Sequence, residues 1–435
     1  MKNFLKSITV TILTWEATLL LKRTKPKIVA VTGNVGKTST KDAIYTVLKD
    51  HMYTRKSEKG FNTDIGVPLT VLGLRNGWNN PLRWAKNLID GLIIVLHPGE
   101  YPEVLVLEMG VDHPGDMEKL AAWIKPDVVV ITRLPDVPVH VENFATPDDV
   151  IKEKLQLLHA LKPDGVFVFN NDDPKVQKAA ESIRQQSIGF SRYSLSHFSA
   201  SSDEAVYDGG VPVGLEFELT HLETTASMYV SGSLGVQHAY NYAAAVAVGS
   251  VFGIDLIEAT KNLREHVPPP GRMRIVKGIK DTLIIDDTYN SSPTATERAL
   301  QTIKELKGVK RKIAVLGDML ELGQFSVREH EKVGEDVANS VDMLVTVGIR
   351  ARKIAEAAME FGMSEKHIYQ YDDINRARKE IKNMIQPGDV ILAKASQGIR
   401  AEMLVAEIMF EDERRSELLV RQDPAWQEKK VTSLV

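Results

Sequence analysis

A glycine-rich loop close to the start of the chain carries the clearest chemical signal. A short apolar stretch at residues 27–32 predicts a strand, and a helical pattern begins at Lys37. Backbone N–H groups of a glycine loop between a strand and a helix bind phosphate oxygens at the helix N-terminus. We therefore predict that a nucleotide is bound by the loop residues, which are Thr32, Gly33, Asn34, Val35, Gly36, Lys37, Thr38 and Ser39.

Two side chains of this loop have defined expected roles. Lys37 would neutralise the terminal phosphates of ATP, and Thr38 would offer its hydroxyl group to Mg²⁺. The usual pattern has a glycine five residues before Gly36, where this chain has Val31. The loop is therefore a variant, and a plain glycine turn is the alternative. The strand before the loop and the helix after it favour nucleotide binding.

A carboxylate and a histidine follow later predicted strands. Glu108 ends an apolar strand, and His140 lies in the loop after the next one. Ligands of parallel α/β sheets bind at the carboxyl ends of the strands, and Mg²⁺ prefers oxygen ligands. Thr38 and Glu108 therefore suit one ion, with His140 as a ligand or orienting group for a second. A solvated strand end and a surface histidine are the alternatives.

A proline-rich segment at 267–271, Val-Pro-Pro-Pro-Gly, divides the chain, because it continues neither a helix nor a sheet. Arg272 follows it and could reach the γ-phosphate when the last domain closes. A surface arginine beside Arg274 is the alternative. The pair Asp286-Asp287 ends a further predicted strand, and a capped turn before a helix near Pro293 is its alternative interpretation.

The elements that would position these residues are apolar strands alternating with helices, which predicts parallel sheets with helices on both faces. Residues from about 188 to 235 are rich in Ser, Thr and Gly and predict antiparallel strands, and an alanine-rich helix follows at 236–252. The predicted fold class is α/β, with a central P-loop ATPase domain and a C-terminal Rossmann-like domain. After the linker, strands are predicted near 282–285, 312–316, 343–347 and 390–393.

These patterns predict a division of the chain into five parts. The boundaries are an N-terminal amphipathic helix at 1–26, the central ATP-binding domain at 27–266, the linker at 267–271, the C-terminal domain at 272–410 and a charged, loosely held tail at 411–435.

The N-terminal segment allows two interpretations. Phe4, Ile8, Ile12, Trp15 and Leu19 recur at helical spacing. The helix could dock on the protein through this stripe, or it could lie on the inner membrane face with a basic flank at residues 22–23. The apolar stretch is too short for a spanning helix, which needs about 20 apolar residues, and no signal-peptide cleavage site follows it.

Composition narrows the class of protein. A chain of 435 residues is too long for one core, and a hydrophobic share of 43% is that of a globular protein. The formal net charge of −4 argues against a nucleic-acid partner. Because the chain contains no cysteine, disulfides and thiolate metal sites are excluded, which fits a reducing cytoplasm.

Ordered segments of the chain, from about residue 27 to 410, resemble the Mur ligases of peptidoglycan synthesis, and within them the MurF type. The phosphate loop followed by Ser39-Thr40-Lys41-Asp42 is similar to the nucleotide loop of that family. The other similar segments are 62–70, Glu108-Met109-Gly110 with Gly115-Asp116, 140–144 with Lys154, Gly271-Arg272-Met273, 286–293 and 317–323.

The resemblance implies a cytoplasmic ATP-dependent amide ligase. Such an enzyme activates a muramyl-peptide carboxylate as an acyl phosphate and joins it to D-alanyl-D-alanine, with ATP and Mg²⁺. It implies catalytic roles for Lys37, His140, Lys154 and Arg272, and metal contacts from Thr38, Glu108, His140 and Lys154. Lys154 would carry a carbamate, since a lysine cation would repel Mg²⁺; an exposed lysine is the alternative. Nucleotide contacts are implied for Asn241, Arg272, Asp287 and Asn290.

The chain departs from the family in three places. His238 stands where an asparagine near the adenine is expected, and Thr63-Asp64 follow Asn62 in place of Asn-Glu. Only about 26 residues precede the first strand, so the family's UDP-binding domain is expected to be missing.

The acceptor substrate is therefore left open. A lipid-linked, folate-like or polymer carboxylate is an alternative, and so is a non-catalytic nucleotide-binding homologue. Relatives that amidate the lipid-linked precursor carry a four-cysteine zinc element, and this chain has no cysteine.

Overall fold

The computed structural model describes residues 2–58 and 60–427, with the side chains of residues 2–5 and 425 left undescribed. Two β-sheets follow one another along this part of the chain. The strands of the first sheet are β1 Lys27–Thr32, β2 Thr54–Lys56, β3 Val104–Glu108, β4 Val128–Ile131, β5 Val166–Asn170, β6 Gln186–Ser191, β7 Phe198–Asp208, β8 Val211–His221 and β9 Thr224–Ser231.

The first sheet is parallel at one end and antiparallel at the other. Its order is β2-β3-β1-β4-β5-β6-β7-β8-β9; neighbouring strands pair parallel from β2 to β7, and the β7–β8 and β8–β9 pairs are antiparallel. The prediction of antiparallel strands from residue 188 is therefore wrong for β6, which pairs parallel with β5. Strands β3, β4 and β5 are buried along their whole length, as expected for a sheet covered on both faces.

Helices cover both faces of this sheet, which confirms the predicted α/β arrangement. Helices α2, α8 and α9 pack on one face, and α1, α3, α4, α5, α6 and α7 contribute to the core on the other. Their bounds are α1 Lys2–Thr24, α2 Lys37–Leu48, α3 Gly66–Leu72, α4 Pro81–Leu96, α5 Asp116–Trp123, α6 Pro147–Leu155, α7 Pro174–Ser182, α8 Gln237–Val251 and α9 Leu256–Leu263.

The second sheet follows the proline-rich segment and has the order β10-β11-β15-β12-β13-β14, with only β10 antiparallel to its neighbour. Its strands are β10 Arg274–Lys277, β11 Leu283–Asp286, β12 Arg311–Gly317, β13 Met343–Val347, β14 Ile368–Tyr371 and β15 Asp389–Lys394. Its helices are α10 Pro293–Glu305, α11 Ser326–Ala338, α12 Arg352–Glu360, α13 Ile374–Met384, α14 Glu402–Ile408, α15 Arg415–Leu418 and α16 Pro424–Gln427.

Helix α1 docks through a face that the sequence analysis did not identify. Part of the predicted stripe faces outward: Ile8 is 40% and Trp15 is 55% exposed, and Ile12 is half-buried. Leu19 is half-buried and packs against the core. Phe4 lies outside the described side chains. The stripe is therefore not the main docking face, although the helix is docked. The residues buried against α3 and α4 are Leu13, Glu16, Ala17 and Leu20.

None of the described helices combines the length and apolar character that spanning a bilayer requires.

The segment after α14 is packed, so the prediction of a loosely held tail is wrong for its described part. Leu418 and Leu419 belong to the core of the second sheet, and Val420 is buried. The Arg421 guanidinium donates hydrogen bonds to the carbonyl oxygens of Thr288 and Tyr289. Apolar side chains interspersed among the charges supply this packing. Residues 428–435 lie outside the described chain.

Candidate active site

The phosphate loop between β1 and α2 needs glycine at two positions. Gly33 has φ 136°, and a Cβ atom there would lie 2.1 Å from the Thr132 hydroxyl oxygen. Gly36 precedes α2 with φ 88°, and its Cβ atom would lie 2.9 Å from Asn241 Oδ1. Because both φ angles are positive and a Cβ atom would lie too close to neighbouring atoms, only glycine fits at these two positions. The Thr32 hydroxyl donates to the Met109 carbonyl oxygen and so supports the loop from inside.

Thr38, in the first turn of α2, meets Glu108 at the carboxyl end of β3. The Thr38 hydroxyl donates to Glu108 Oε2 over 2.9 Å, and Asn62 Nδ2 donates to Glu108 Oε1 over 3.2 Å. No cluster of three or more His, Asp or Glu side chains among the described residues could hold a metal unaided. The hydroxyl and carboxylate oxygens therefore fit a Mg²⁺ ion that keeps waters and phosphate oxygens as its other ligands.

Lys37 lies beside this oxygen pair. Burial lowers the pKa of Lys37 from its usual value, the Glu108 carboxylate opposes that shift, and the Arg272 guanidinium adds to it. A bound phosphate would supply a negative partner that favours the protonated form of this buried lysine. Lys37 therefore stays a predicted phosphate-binding cation.

His140 connects the two sheets. It has φ 69° and precedes a single 3₁₀ turn, and its ring lies between two carboxylates. Nδ1 lies 2.9 Å from Glu321 Oε2, which follows β12, and Nε2 lies 3.5 Å from Asp112 Oδ1. The hydrogen bond with His140 lowers the pKa of Glu321. Sequence reasoning did not select Asp112 or Glu321 as site residues, although Glu321 lies in one of the family-like segments.

Lys154 is buried on α6 and is 1% exposed, so the alternative of an exposed lysine is excluded. Burial lowers the pKa of Lys154 well below its usual value, and the positive charge of Lys37 adds to the shift. Both effects favour the neutral, nucleophilic form of its amine over the ammonium cation. Lys154 does not line the cavity described next, but it is near enough to Lys37 and Asp112 to interact with their charges.

A cavity of about 340 Å³ lies between the two sheets and brings most of the predicted site residues together. The Arg272 guanidinium stacks on the Tyr289 ring at 4.0 Å from its centroid, and Arg272 Nε has no hydrogen-bond partner among the described residues. Such a guanidinium is available for an anionic ligand. The predicted residues that line the cavity are Asn34, Val35, Gly36, Lys37, Thr38, Glu108, His140, Arg272 and Asn290.

The two aspartates at the end of β11 have different surroundings. Asp286 accepts hydrogen bonds from the Thr288 amide and hydroxyl groups and so caps the turn after β11, whereas the N-cap of α10 is Ser292. Burial raises the pKa of Asp286 to about 6. Asp287 accepts from Lys394 Nζ over 2.6 Å and from the Met273 amide over 3.2 Å. Lys394 was missed by sequence reasoning, although it directly follows the strand predicted at 390–393 and ends β15 on the same sheet edge.

A second, smaller cavity of about 40 Å³ adjoins the first and shares Gly36 and Arg272 with it. Asn241 on α8 lines it and accepts a hydrogen bond from the Thr40 hydroxyl group. His238 also lines it; burial lowers the pKa of His238 to about 3, so its ring is neutral. Asp287 and Lys394 complete this wall. The space holds only a few water molecules, so a nucleoside here would require the two sheets to separate.

Comparisons with known proteins agree with this geometry. A family profile described as the Mur ligase middle domain matches residues 31–249, and one described as the Mur ligase glutamate ligase domain matches residues 271–397. The UDP-N-acetylmuramoyl-tripeptide–D-alanyl-D-alanine ligase of Bacillus subtilis is 30% identical over 405 residues, which cover 92% of this chain and 80% of that protein.

Solved structures show the same architecture. MurF from Thermotoga maritima in complex with ADP has 25% identity and a TM-score of 0.73, covering 94% of this chain and 84% of that one. MurF from Acinetobacter baumannii has a TM-score of 0.75 at 24% identity, covering 92% and 79%, and supports the fold alone.

Proposed function

This chain belongs to the Mur ligase family, and on that premise we propose that it joins UDP-N-acetylmuramoyl-tripeptide to D-alanyl-D-alanine with hydrolysis of ATP. The observation that carries the proposal is the convergence on one cavity of Lys37 and Thr38 at the start of α2, Glu108 at the end of β3 and Arg272 just before β10. Two anionic substrates must meet during the reaction, and such a site supplies the required cations and oxygen ligands.

The chemistry requires a leaving group on the peptide carboxylate. A carboxylate oxygen attacks the γ-phosphorus of ATP, the bond from that phosphorus to the β,γ-bridging oxygen breaks, and ADP and an acyl phosphate form. The amino group of D-alanyl-D-alanine then attacks the acyl carbon and loses a proton. Inorganic phosphate leaves with the electrons of the broken C–O bond, and an amide remains.

The described side chains would act mainly by positioning and by charge. The N–H groups of the phosphate loop and Lys37 hold the terminal phosphates, and Arg272 approaches them from the second sheet. Thr38 and Glu108 would hold Mg²⁺, which neutralises phosphate charge when bound. Asn241, Asp287 and Asn290 would contact the nucleoside end. His140, whose ring is held by its contact with Glu321, would orient the side chains that bind the metal ion.

We further propose that Lys154 is carbamylated. A carbamate forms when a neutral amine attacks carbon dioxide and loses a proton. Burial favours that neutral form of the Lys154 amine, because it lowers the pKa of the group. The product would be an anion near Lys37, which replaces repulsion by attraction and adds an oxygen ligand for a metal ion.

We propose that the protein acts in the cytoplasm and contacts the inner membrane face through α1. The reaction consumes ATP, and the cysteine-free chain fits the cytoplasm. Contact of α1 with the inner membrane face is supported by the outward side chains Ile8 and Trp15. Lys22 and Arg23 lie in the last turn of the same helix.

The function is tested by phosphate release from the purified chain with UDP-muramoyl tripeptide, D-alanyl-D-alanine, ATP and Mg²⁺. We expect phosphate release that depends on the dipeptide, and an amide product with the summed mass less one water. Phosphate release no higher than in the reaction without dipeptide would reject this substrate pair. A screen of other carboxylates and amines by the same assay would then separate a ligase of other specificity from a nucleotide-binding protein without ligase activity.

A further inference from the structure

Helix α4 has an unusual outer face. A surface helix normally turns its apolar side toward the core, and α4 does bury Asn87, Gly91 and Val95. Its opposite side is nevertheless apolar as well. The outward residues recur at helical spacing and are between 43% and 80% exposed; they are Leu82, Ile89, Leu92, Ile93 and Leu96.

Helix α1 lies directly beside α4 and has the same character. Arg23 Nη1 donates hydrogen bonds to the carbonyl oxygens of Val95 and Leu96, so the C-terminal ends of the two helices lie together. Ile8 and Trp15 form the exposed part of the outer face of α1. Large exposed apolar patches on a folded protein mark interaction sites.

The acidic residue of α1 is turned away from this outer face. Glu16 is 2% exposed, and a Cβ atom on Gly91 of α4 would lie 2.2 Å from its Oε2 atom. Gly91 thus makes room for the carboxyl group between the helices. Glu16 is the single acidic residue in the sequence of α1. The exposed side of this helix therefore carries apolar and basic groups and no carboxylate.

The net charge of the two segments that contain α1 and α4 differs in sign from that of the whole chain. Residues 1–26 and 73–100 contain eight lysine and arginine residues against three acidic ones, whereas the whole chain has a net charge of −4. The exposed side chains of Lys6, Lys22, Lys25, Arg83 and Lys86 contribute to this excess. A basic rim around an apolar face complements an anionic bilayer, where lipid headgroups are negative and the acyl boundary is apolar.

We infer that α1 and α4 together form a docking surface for an anionic phospholipid bilayer. We name the outward residues Ile8, Trp15, Leu82, Ile89, Leu92, Ile93 and Leu96 the two-helix surface. The inference rests on the proposed membrane contact of α1, and it adds α4 as the larger part of the surface. It does not depend on the substrate assignment, because none of these residues lines the candidate active site.

Vesicle flotation with the full chain tests the inference. We expect the protein to float with vesicles of phosphatidylcholine and about 30% phosphatidylglycerol, and to float much less with phosphatidylcholine alone. The double variant Ile89→Glu, Ile93→Glu should reduce the bound fraction by roughly tenfold or more, because two apolar side chains are replaced by anions. Ile257→Glu on α9 is the matched control, since Ile257 is also more than half exposed.

Three outcomes would overturn the inference. The first is equal flotation of the double variant and the unchanged chain. The second is an absence of binding to anionic vesicles. The third is a lipid-free dimer, seen by light scattering, that the double variant converts to a monomer, because a second copy would then occupy the surface. Phosphate release from soluble substrates, measured on the same samples, reports on the proposed ligase activity separately.

Discussion

At the scale of single residues, the most informative feature is a buried lysine whose surroundings disfavour its positive charge. Lys154 lies on α6 in a buried position near Lys37, so its protonated form is disfavoured by burial and by repulsion. A buried lysine of this kind lowers stability, and such groups are found preferentially at functional sites. The carbamate proposal gives this position a chemical reason.

Replacement of Lys154 tests the carbamate proposal. We expect Lys154→Ala to lower kcat by about 100-fold or more, as loss of a preorganised electrostatic group does, and a short carboxylic acid in the buffer to restore part of the rate. Lys152→Ala is the control, because the Lys152 side chain is 75% exposed on the same helix. Full activity of Lys154→Ala, without any response to bicarbonate or carboxylate, would reject the carbamate.

At the scale of elements, α1 is docked through an interface that contains an unpaired carboxyl group. Glu16 Oε2 has no hydrogen-bond partner among the described residues, and burial raises the pKa of Glu16 to about 7. An acid with a raised pKa stabilises the fold fully below its unfolded pKa of about 4.5, and that contribution is lost as pH rises through the folded pKa. The docking of α1 should therefore weaken between about pH 4.5 and 7.

The variant Glu16→Gln removes this titration. We expect it to raise the free energy of unfolding relative to the unchanged chain at pH 8 and to change it much less at pH 5. Urea unfolding at the two pH values measures the difference. Glu118→Gln on α5, an exposed position, should have little effect at either pH. An equal effect of Glu16→Gln at both pH values would contradict the assignment.

The segment after α14 is a second element with a defined effect on the site. Arg421 donates to the carbonyl groups of Thr288 and Tyr289 and lies 3.2 Å from Glu402, while Tyr289 stacks on Arg272. The segment therefore holds the loop that places the Arg272 guanidinium in the cavity. Its role is positioning, since Arg421 does not line either cavity.

Arg421→Ala should affect both stability and nucleotide use. Breaking a buried ion pair costs about 3–5 kcal/mol, and a displaced Tyr289 would raise the KM for ATP several-fold. Arg421→Lys should recover stability better than KM, because lysine lacks the fork that contacts both carbonyl groups. Thermal unfolding and ATP titrations measure the two effects, and Arg414→Ala, with a half-exposed side chain, is the control. An unchanged KM in a folded Arg421→Ala protein would limit the segment to a stabilising role.

At the scale of the whole molecule, the two sheets are in a closed arrangement. The His140–Glu321 contact joins them, and a Cβ atom on Gly323 would lie 3.1 Å from Glu142 Cβ. The cavity beside Asn241 has only about 40 Å³ of space in this arrangement. Nucleotide entry therefore requires the sheets to separate and close again.

A reversible cross-link tests that motion. Glu142→Cys with Gly323→Cys places two Cβ atoms within a few tenths of an ångström of the usual disulfide separation, about 3.5–4.5 Å, in a chain without other cysteines. We expect oxidation to stop multiple turnovers and reduction to restore them. The two single-cysteine variants are the controls. Full turnover of the cross-linked protein would show that the sheets need not separate.

Much of this architecture follows from local patterns in the sequence. Strand β13 lies at the predicted residues, and α8 lies within one residue of its predicted bounds, because continuous apolar runs and alanine-rich stretches specify buried strands and helices directly. The loop 33–38 and Glu108 were likewise recognisable, since a glycine conformation and a strand end are local features. Family membership and the type of reaction were predicted from such ordered local segments.

Other features depend on contacts between residues far apart in the chain. The sequence could not show that Glu321 reaches His140, that Lys394 pairs with Asp287, or that Arg421 holds Tyr289, because each pair forms only when separate elements pack. It also could not show which side of α1 is buried, because that helix has apolar residues on two faces and only the position of α4 decides between them. Helical periodicity identifies an apolar face, whereas the neighbouring elements determine whether that face meets the core or the surroundings.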